Sequence, residues 1–280
     1  MYLALALLSS LVLGAADFVG GAAARRARAL VIVVWSNGAG LLAALGLVLV
    51  VVPARLTATD LAWGAAAGLS GSLGAVLLYR ALAIGVMSVV APTSAAAAAA
   101  VPVTVGLALG ERLTGPGFIG VIVALVSVVL LTRTAAPVDP DRTRSAPAMA
   151  YAVLAGVSFG VFLVLLAQTS GGSGLWPLVG ARCASLSLLV GVALVRRESL
   201  QLAGPTARLA VLAGLLDMAS NVLFLVAVRG GQLALVGLLA SLSPLGTVGL
   251  ARLVLRERIR AVQGVGAALA MGSVMLLALA

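Results

Sequence analysis

Glu111-Arg112 and, nine residues after the glutamate, Gly120 recur 146 residues later as Glu257-Arg258 and Gly266. Each copy follows a long apolar run, and the two copies align at this constant offset without a gap. A fixed offset of that length indicates a duplicated unit. Because the unit is hydrophobic throughout, the duplication is typical of a membrane transporter.

The composition excludes a soluble globular domain. Of 280 residues, 62% are hydrophobic and only 9% are charged, and the mean hydropathy is +1.23. Lipid must therefore surround most of this apolar surface. The net charge of +10 comes from arginines that sit mostly in short gaps between apolar runs. That placement is typical of charges that set membrane topology, so we expect no nucleic-acid partner.

The chain has no histidine and one cysteine, Cys183. An internal disulfide is impossible, and zinc or iron–sulfur ligation lacks ligands. We expect no metal or other cofactor, and no metalloenzyme activity.

Segments of about 20 apolar residues predict membrane-spanning helices. The glycine-rich stretch 171–174 divides one run that is too long for a single span. The first run has no positive residues before it, which favours a retained helix over a cleaved signal peptide. Ten spans are predicted, at approximately 3–24, 30–52, 61–82, 87–109, 113–132, 147–168, 175–195, 209–228, 232–254 and 261–280.

A polar, proline-containing linker at 135–146 separates two five-helix halves, 1–134 and 147–280. Because each half has an odd number of spans, the second enters the membrane from the opposite side. The predicted fold is an all-α integral membrane protein of ten transmembrane helices in two inverted five-helix repeats. Glu111 and Glu257 would then lie on opposite sides of the membrane, where each is expected to cap a helix rather than share a site.

The distribution of arginine predicts the orientation. Twelve arginines lie in the odd-numbered connections and three in the even-numbered ones. The positive-inside rule places the odd connections in the cytoplasm and both termini outside. We expect a multi-pass protein of the plasma membrane, here a bacterial inner membrane.

The chain resembles the drug/metabolite transporter superfamily in its EamA-like branch. The resemblance covers nearly the whole chain, on the motifs Tyr79-Arg80-Ala81-Leu82, Leu107-Ala108-Leu109-Gly110-Glu111-Arg112-Leu113-Thr114, Ser243-Pro244 and Leu255-Arg256-Glu257-Arg258. It implies export of small metabolites, such as amino acids or related compounds, by ion-coupled or exchange alternating access. Protons are one coupling ion to consider.

Asp217 is the leading candidate for a site residue, because an ionisable group inside a span costs about 2.5–3.5 kcal/mol on insertion scales. Asn221 lies one helical turn further on the same face, and the stripe they share, with Ala210, Gly214 and Phe224, should face the bundle interior. We interpret Asp217 as a proton- or substrate-binding carboxylate. The alternative is a structural ion pair with Arg182, and protonation of Asp217 that breaks this pair would reconcile the two.

Other polar groups have weaker claims. Asp17 either lines the cavity or is a helix-terminal charge. Arg80, next to Tyr79, either captures a substrate carboxylate or anchors its helix at the membrane–water interface. Polar uncharged residues in spans more often bond helices together than contact substrate; they are Ser36, Asn37, Thr93 and Ser94. Three prolines predict breaks in the penultimate helix of each half, where binding regions are expected: Pro92, Pro102 and Pro244.

Two other functional classes remain open. One is a membrane scaffold or lipid scramblase that transports no metabolite. The other is an intramembrane aspartyl protease using Asp17 and Asp217, but both lack the flanking residues typical of such enzymes. We therefore predict a transporter and not an enzyme.

Overall fold

The computed structural model describes residues 1–24, 26–50, 55–84, 87–111, 114–131, 146–243, 246, 250 and 261–278. Most of the predicted linker 135–146, and Pro244 and Glu257, lie outside the described residues. The side chains of Tyr79 and Pro92 do too, although their backbones belong to helices.

The described residues form helices and turns without a β-strand. In lipid a helix satisfies its own backbone hydrogen bonds, which explains why long apolar runs adopt it. The α-helices, with a short 3-10 helix at Gly171–Ser173, are α1 (Tyr2–Ala24), α2 (Ala29–Val50), α3 (Ala58–Ile84), α4 (Met87–Ala108), α5 (Gly115–Leu131), α6 (Ala146–Ala167), α7 (Trp176–Val195), α8 (Gly204–Gly230), α9 (Leu233–Ala240) and α10 (Ala261–Ala278).

Among the described residues, six helices are long and apolar enough to cross a membrane: α1, α2, α3, α6, α7 and α8. The chain is therefore a multi-pass membrane protein. The glycine-rich stretch 171–174 does separate α6 from α7, as predicted.

The penultimate helix of the first half differs from the prediction. α4 continues through Pro92 and Pro102, so the predicted break is absent there. A proline inside a helix removes one hydrogen bond and can bend the helix without ending it. In the second half, α9 ends at Ala240 and a turn follows at Ser241, so the span 232–254 is interrupted, and a break was predicted in this helix.

Helices pack mainly across the two halves of the chain. The closest pairs are α1 with α8, α3 with α6, α3 with α7, α2 with α8, α4 with α6, and α5 with α10. Each helix of one half has a counterpart five positions along in the other half. When every helix is replaced by its counterpart, most of these pairs give another pair of the same set; for example, α1–α8 becomes α6–α3.

Glycines allow these helices to touch backbone to backbone. A Cβ on Gly64 or Gly68 of α3 would collide with the carbonyl oxygens of Pro177 or Ala181 on α7. A Cβ on Gly214 of α8 would collide with the carbonyl of Ser36 on α2. Small residues permit the same close approach at helix interfaces in lipid.

Polar contacts define two ends of the bundle. On the Asp60 side, Asp60 at the start of α3 accepts hydrogen bonds from the backbone N–H (2.7 Å) and hydroxyl (2.8 Å) of Ser170, which follows α6. Arg229 at the end of α8 donates to the hydroxyl of Ser173 at 3.0 Å. The opposite end is called the Glu198 side, after a residue in the connection between α7 and α8. There the Trp35 indole of α2 donates to the carbonyl of Leu200, in the same connection, at 2.8 Å.

Candidate functional site

An ion pair lies inside the bundle between α7 and α8. One terminal nitrogen of Arg182 donates to Oδ2 of Asp217, and the other donates to the Oδ1 of Asn37 on α2 at 3.0 Å. The side chains of Arg182 and Asp217 are 12% and 32% exposed. Three helices therefore meet at one guanidinium, and the pair that the sequence raised as an alternative is present.

Asn221 is the second partner of Asp217. Its side-chain nitrogen donates to the Asp217 carbonyl at 2.9 Å and to Oδ2 at 3.3 Å. The predicted stripe faces inward, since Ala210, Gly214 and Phe224 are buried with Asn221. Oδ2 of Asp217 thus receives donors from both Arg182 and Asn221.

Two glycines make room for this arrangement. Gly214 brings α8 against α2, where the Ser36 hydroxyl donates to the carbonyl of Ala210 at 2.9 Å. Gly40 lies under the guanidinium, because a Cβ on it would lie 3.2 Å from Nε of Arg182. The sequence offered no signal for Gly40, since its role depends on a side chain from the other half.

A small cavity of about 20 Å³, with room for about one water molecule, adjoins the pair. Its walls combine polar and apolar side chains. The lining residues are Phe162, Leu178, Ala181, Arg182, Ser185 and Asn221.

Asp17 on α1 belongs to the same region. It is exposed, and it lies close enough to Asp217 for the two carboxylates to repel each other. Asp17 lies seven residues before the end of α1, on the part of this helix nearer the Glu198 side.

The remaining predicted residues lie elsewhere or stay undescribed. Arg80 is exposed near the end of α3, and buried Ser94 lies with Thr93 on α4, where its carbonyl packs against Gly156 of α6. Pro102 is buried against Gly237 of α9. The structure thus brings together Asp17, Ser36, Asn37, Arg182, Asp217 and Asn221.

The site makes a prediction about Gly40. Gly40→Ala should displace the guanidinium of Arg182 by a few tenths of an ångström and lower transport about tenfold, since small misplacements in a binding site carry such costs. Transport in proteoliposomes measures this, with thermal stability as a check on folding. Gly38→Ala on the same helix, with nothing within 4 Å of the added Cβ, is the matched control. Unchanged transport by the Gly40 variant would remove Arg182 from the site.

Comparisons with known proteins agree with this architecture. Residues 146–279 match the model of the EamA-like transporter family. Among 28 matching chains of solved structures, one crystal structure superposes with a TM-score of 0.78 at 16% identity, covering 99% of this chain and 98% of the other. That likeness concerns the fold alone. No curated protein matches the chain significantly.

Proposed function

Because the chain belongs to the EamA-like transporter family, part of the drug/metabolite transporter superfamily, through residues 146–279, we propose that it exports small metabolites across the plasma membrane by ion-coupled or exchange alternating access. Family membership makes it a membrane transporter of small molecules. Amino acids or related compounds are the proposed substrates. The observation that carries the proposal is the Arg182–Asp217 pair beside a cavity inside a membrane bundle.

The proposed architecture is ten spans in two inverted five-helix repeats. The pairing of helices supports it, because exchanging the two halves reproduces nearly the same set of neighbours. The matched glycines Gly68 and Gly214, which are 146 residues apart, both press against a backbone carbonyl of the facing helix. An alternating-access mechanism then follows from relative movement of the two halves about the central site.

Asp217 is the proposed proton- or substrate-binding carboxylate. In its ionised form it neutralises Arg182, which would otherwise be an uncompensated charge inside the membrane. Protonation of Asp217 removes that attraction and frees the guanidinium to bind an anionic group or to move with α7. Because Asp217 either pairs with Arg182 or carries a proton, it would couple proton binding to the release of Arg182.

The geometry gives less support to the other functions. An aspartyl protease needs two carboxylates that share a proton. Here Oδ2 of Asp217 instead accepts hydrogen bonds from Arg182 and Asn221. A passive scaffold has no need for a charged pair beside a cavity, since such a pair contributes little to stability on its own.

Uptake by proteoliposomes tests the function. Counterflow of a panel of labelled amino acids and related metabolites should show saturable transport of at least one substrate, responsive to an imposed proton gradient if protons couple it. Empty liposomes provide the background. Transport of no metabolite, combined with lipid scrambling or peptide cleavage, would replace this proposal with one of the alternatives.

The orientation provides a separate prediction. A reporter fused to the C-terminus should be active only outside the cytoplasm, because the twelve arginines of the odd connections hold those connections inside. A second reporter, active only in the cytoplasm, should be inactive when fused to the C-terminus. A cytoplasmic C-terminus would reverse the assignment of both sides.

A further inference from the structure

The repeated glutamate has no role in the proposed site, yet it makes a strong contact between the halves. Glu111 follows α4 on the Asp60 side. Its Oε1 accepts a hydrogen bond from the N–H of Leu233 at 2.6 Å, and its Oε2 accepts one from the N–H of Ala234 at 2.9 Å. These are the first two residues of α9, whose N–H groups have no partner within the helix. A carboxylate of the first half therefore caps a helix of the second.

The local backbone positions this carboxylate. Gly110, two residues after the end of α4, has a φ of 92°, which favours glycine, and the Glu111 N–H donates back to the carbonyl of Gly106 at 3.0 Å. Gly106 also leaves space for the carboxylate, because a Cβ there would collide with its Oε2. Both glycines thus hold Glu111 toward α9.

The cap completes a tight contact between α4 and α9. Every residue from Leu233 to Ala240 is buried, and Pro102 packs so closely on Gly237 that a Cβ on this glycine would lie 2.5 Å from the proline Cβ. The end of α4 and the start of α9 are therefore packed tightly against each other on the Asp60 side.

We propose that Glu111 is a latch that holds α9 against the end of α4 and keeps the Asp60 side closed in this conformation. The inference rests on the proposed alternating-access function. Release of the cap frees the first N–H groups of α9 and permits the Asp60 side to open. Glu111 is thus a positioning residue that sets the balance between the two conformations without touching substrate.

Accessibility of a single cysteine tests the latch. Cys183→Ser removes the only native cysteine, and Val105→Cys places a reporter on α4, one residue before Gly106. In proteoliposomes, a membrane-impermeant maleimide should label this reporter slowly when Glu111 is present. Glu111→Gln should raise the labelling rate about fivefold, which corresponds to the loss of one helix cap. Glu111→Asp, which keeps the charge on a shorter side chain, should give an intermediate rate.

Glu198→Gln is the matched control, since it removes a carboxylate on the opposite side whose partner, Arg28, is 3.9 Å away. Equal labelling with and without Glu111, or an equal rise in the Glu198 variant, would overturn the latch. If Glu111→Gln does not accumulate, Gly106→Ala displaces the carboxylate while retaining it, and the same rise is expected. Failure of both variants to accumulate would make the contact a folding requirement and overturn the proposal as well. Labelling needs no substrate, so this result is independent of the transport assay.

Discussion

Asp217→Asn is expected to abolish ion-coupled transport while the protein remains in the membrane. Asparagine preserves the shape of the side chain and an acceptor for Arg182, but it can neither carry a negative charge nor take up a proton. Transport driven by an ion gradient in proteoliposomes measures the loss, which should exceed a hundredfold if this carboxylate couples the cycle. Full coupled transport by the variant would refute the assignment.

A double variant separates the function of Asp217 from its structural role. Removing one partner of an internal pair costs about 3 kcal/mol, because the other charge stays behind in the bundle. Arg182→Gln and Asp217→Asn should each lower thermal stability, and combining them should restore much of it. Coupled transport should stay absent in the combined variant. Recovery of both stability and coupling would mean that the pair is only structural.

An alanine at Gly68 or Gly214 is expected to destabilise the protein strongly. The added Cβ meets a backbone carbonyl of the facing helix, which cannot rotate away as a side chain can. Overpacking typically costs about 1–3 kcal/mol, and a backbone obstacle places these variants at the upper end. The midpoint of thermal unfolding in detergent, read by fluorescence-detected gel filtration, should fall in both.

Gly46→Ala on α2 is the matched control, with nothing within 4 Å of the new Cβ. Its expected effect has the opposite sign, since alanine favours a helix over glycine by about 1 kcal/mol. An equal change in the unfolding midpoint of all three alanine variants would show that close backbone contact is not the reason for glycine at positions 68 and 214.

Sequence reasoning predicted the features that depend on one segment at a time. Apolar runs predicted the six clear spans, and the ionisable residue in mid-span, Asp217, forms the ion pair with Arg182 that the sequence raised as an alternative. The glycine-rich stretch at 171–174 predicted a turn, because glycine punctuates helices wherever it clusters.

Features that join distant segments escaped sequence reasoning. The room under Arg182 at Gly40, and the bonds from Ser170 to Asp60, link residues that are more than a hundred positions apart. Periodicity carries no information about such pairs. The break predicted at Pro92 and Pro102 is absent for another reason: α4 continues through both prolines, and Pro102 is packed against Gly237 of α9, a tertiary contact that a local rule about helix ends does not include.

The cross-half packing also has a consequence for biogenesis. During synthesis α1, α2 and α3 are complete before α7 and α8 exist, so their glycine-lined faces first meet lipid or the insertion machinery. The first half acquires most of its native helix contacts only when the second is in place, so much of the folding follows insertion as a late, non-local step. If synthesis stops after α5, the helices of the first half are present but lack the second-half helices against which they pack.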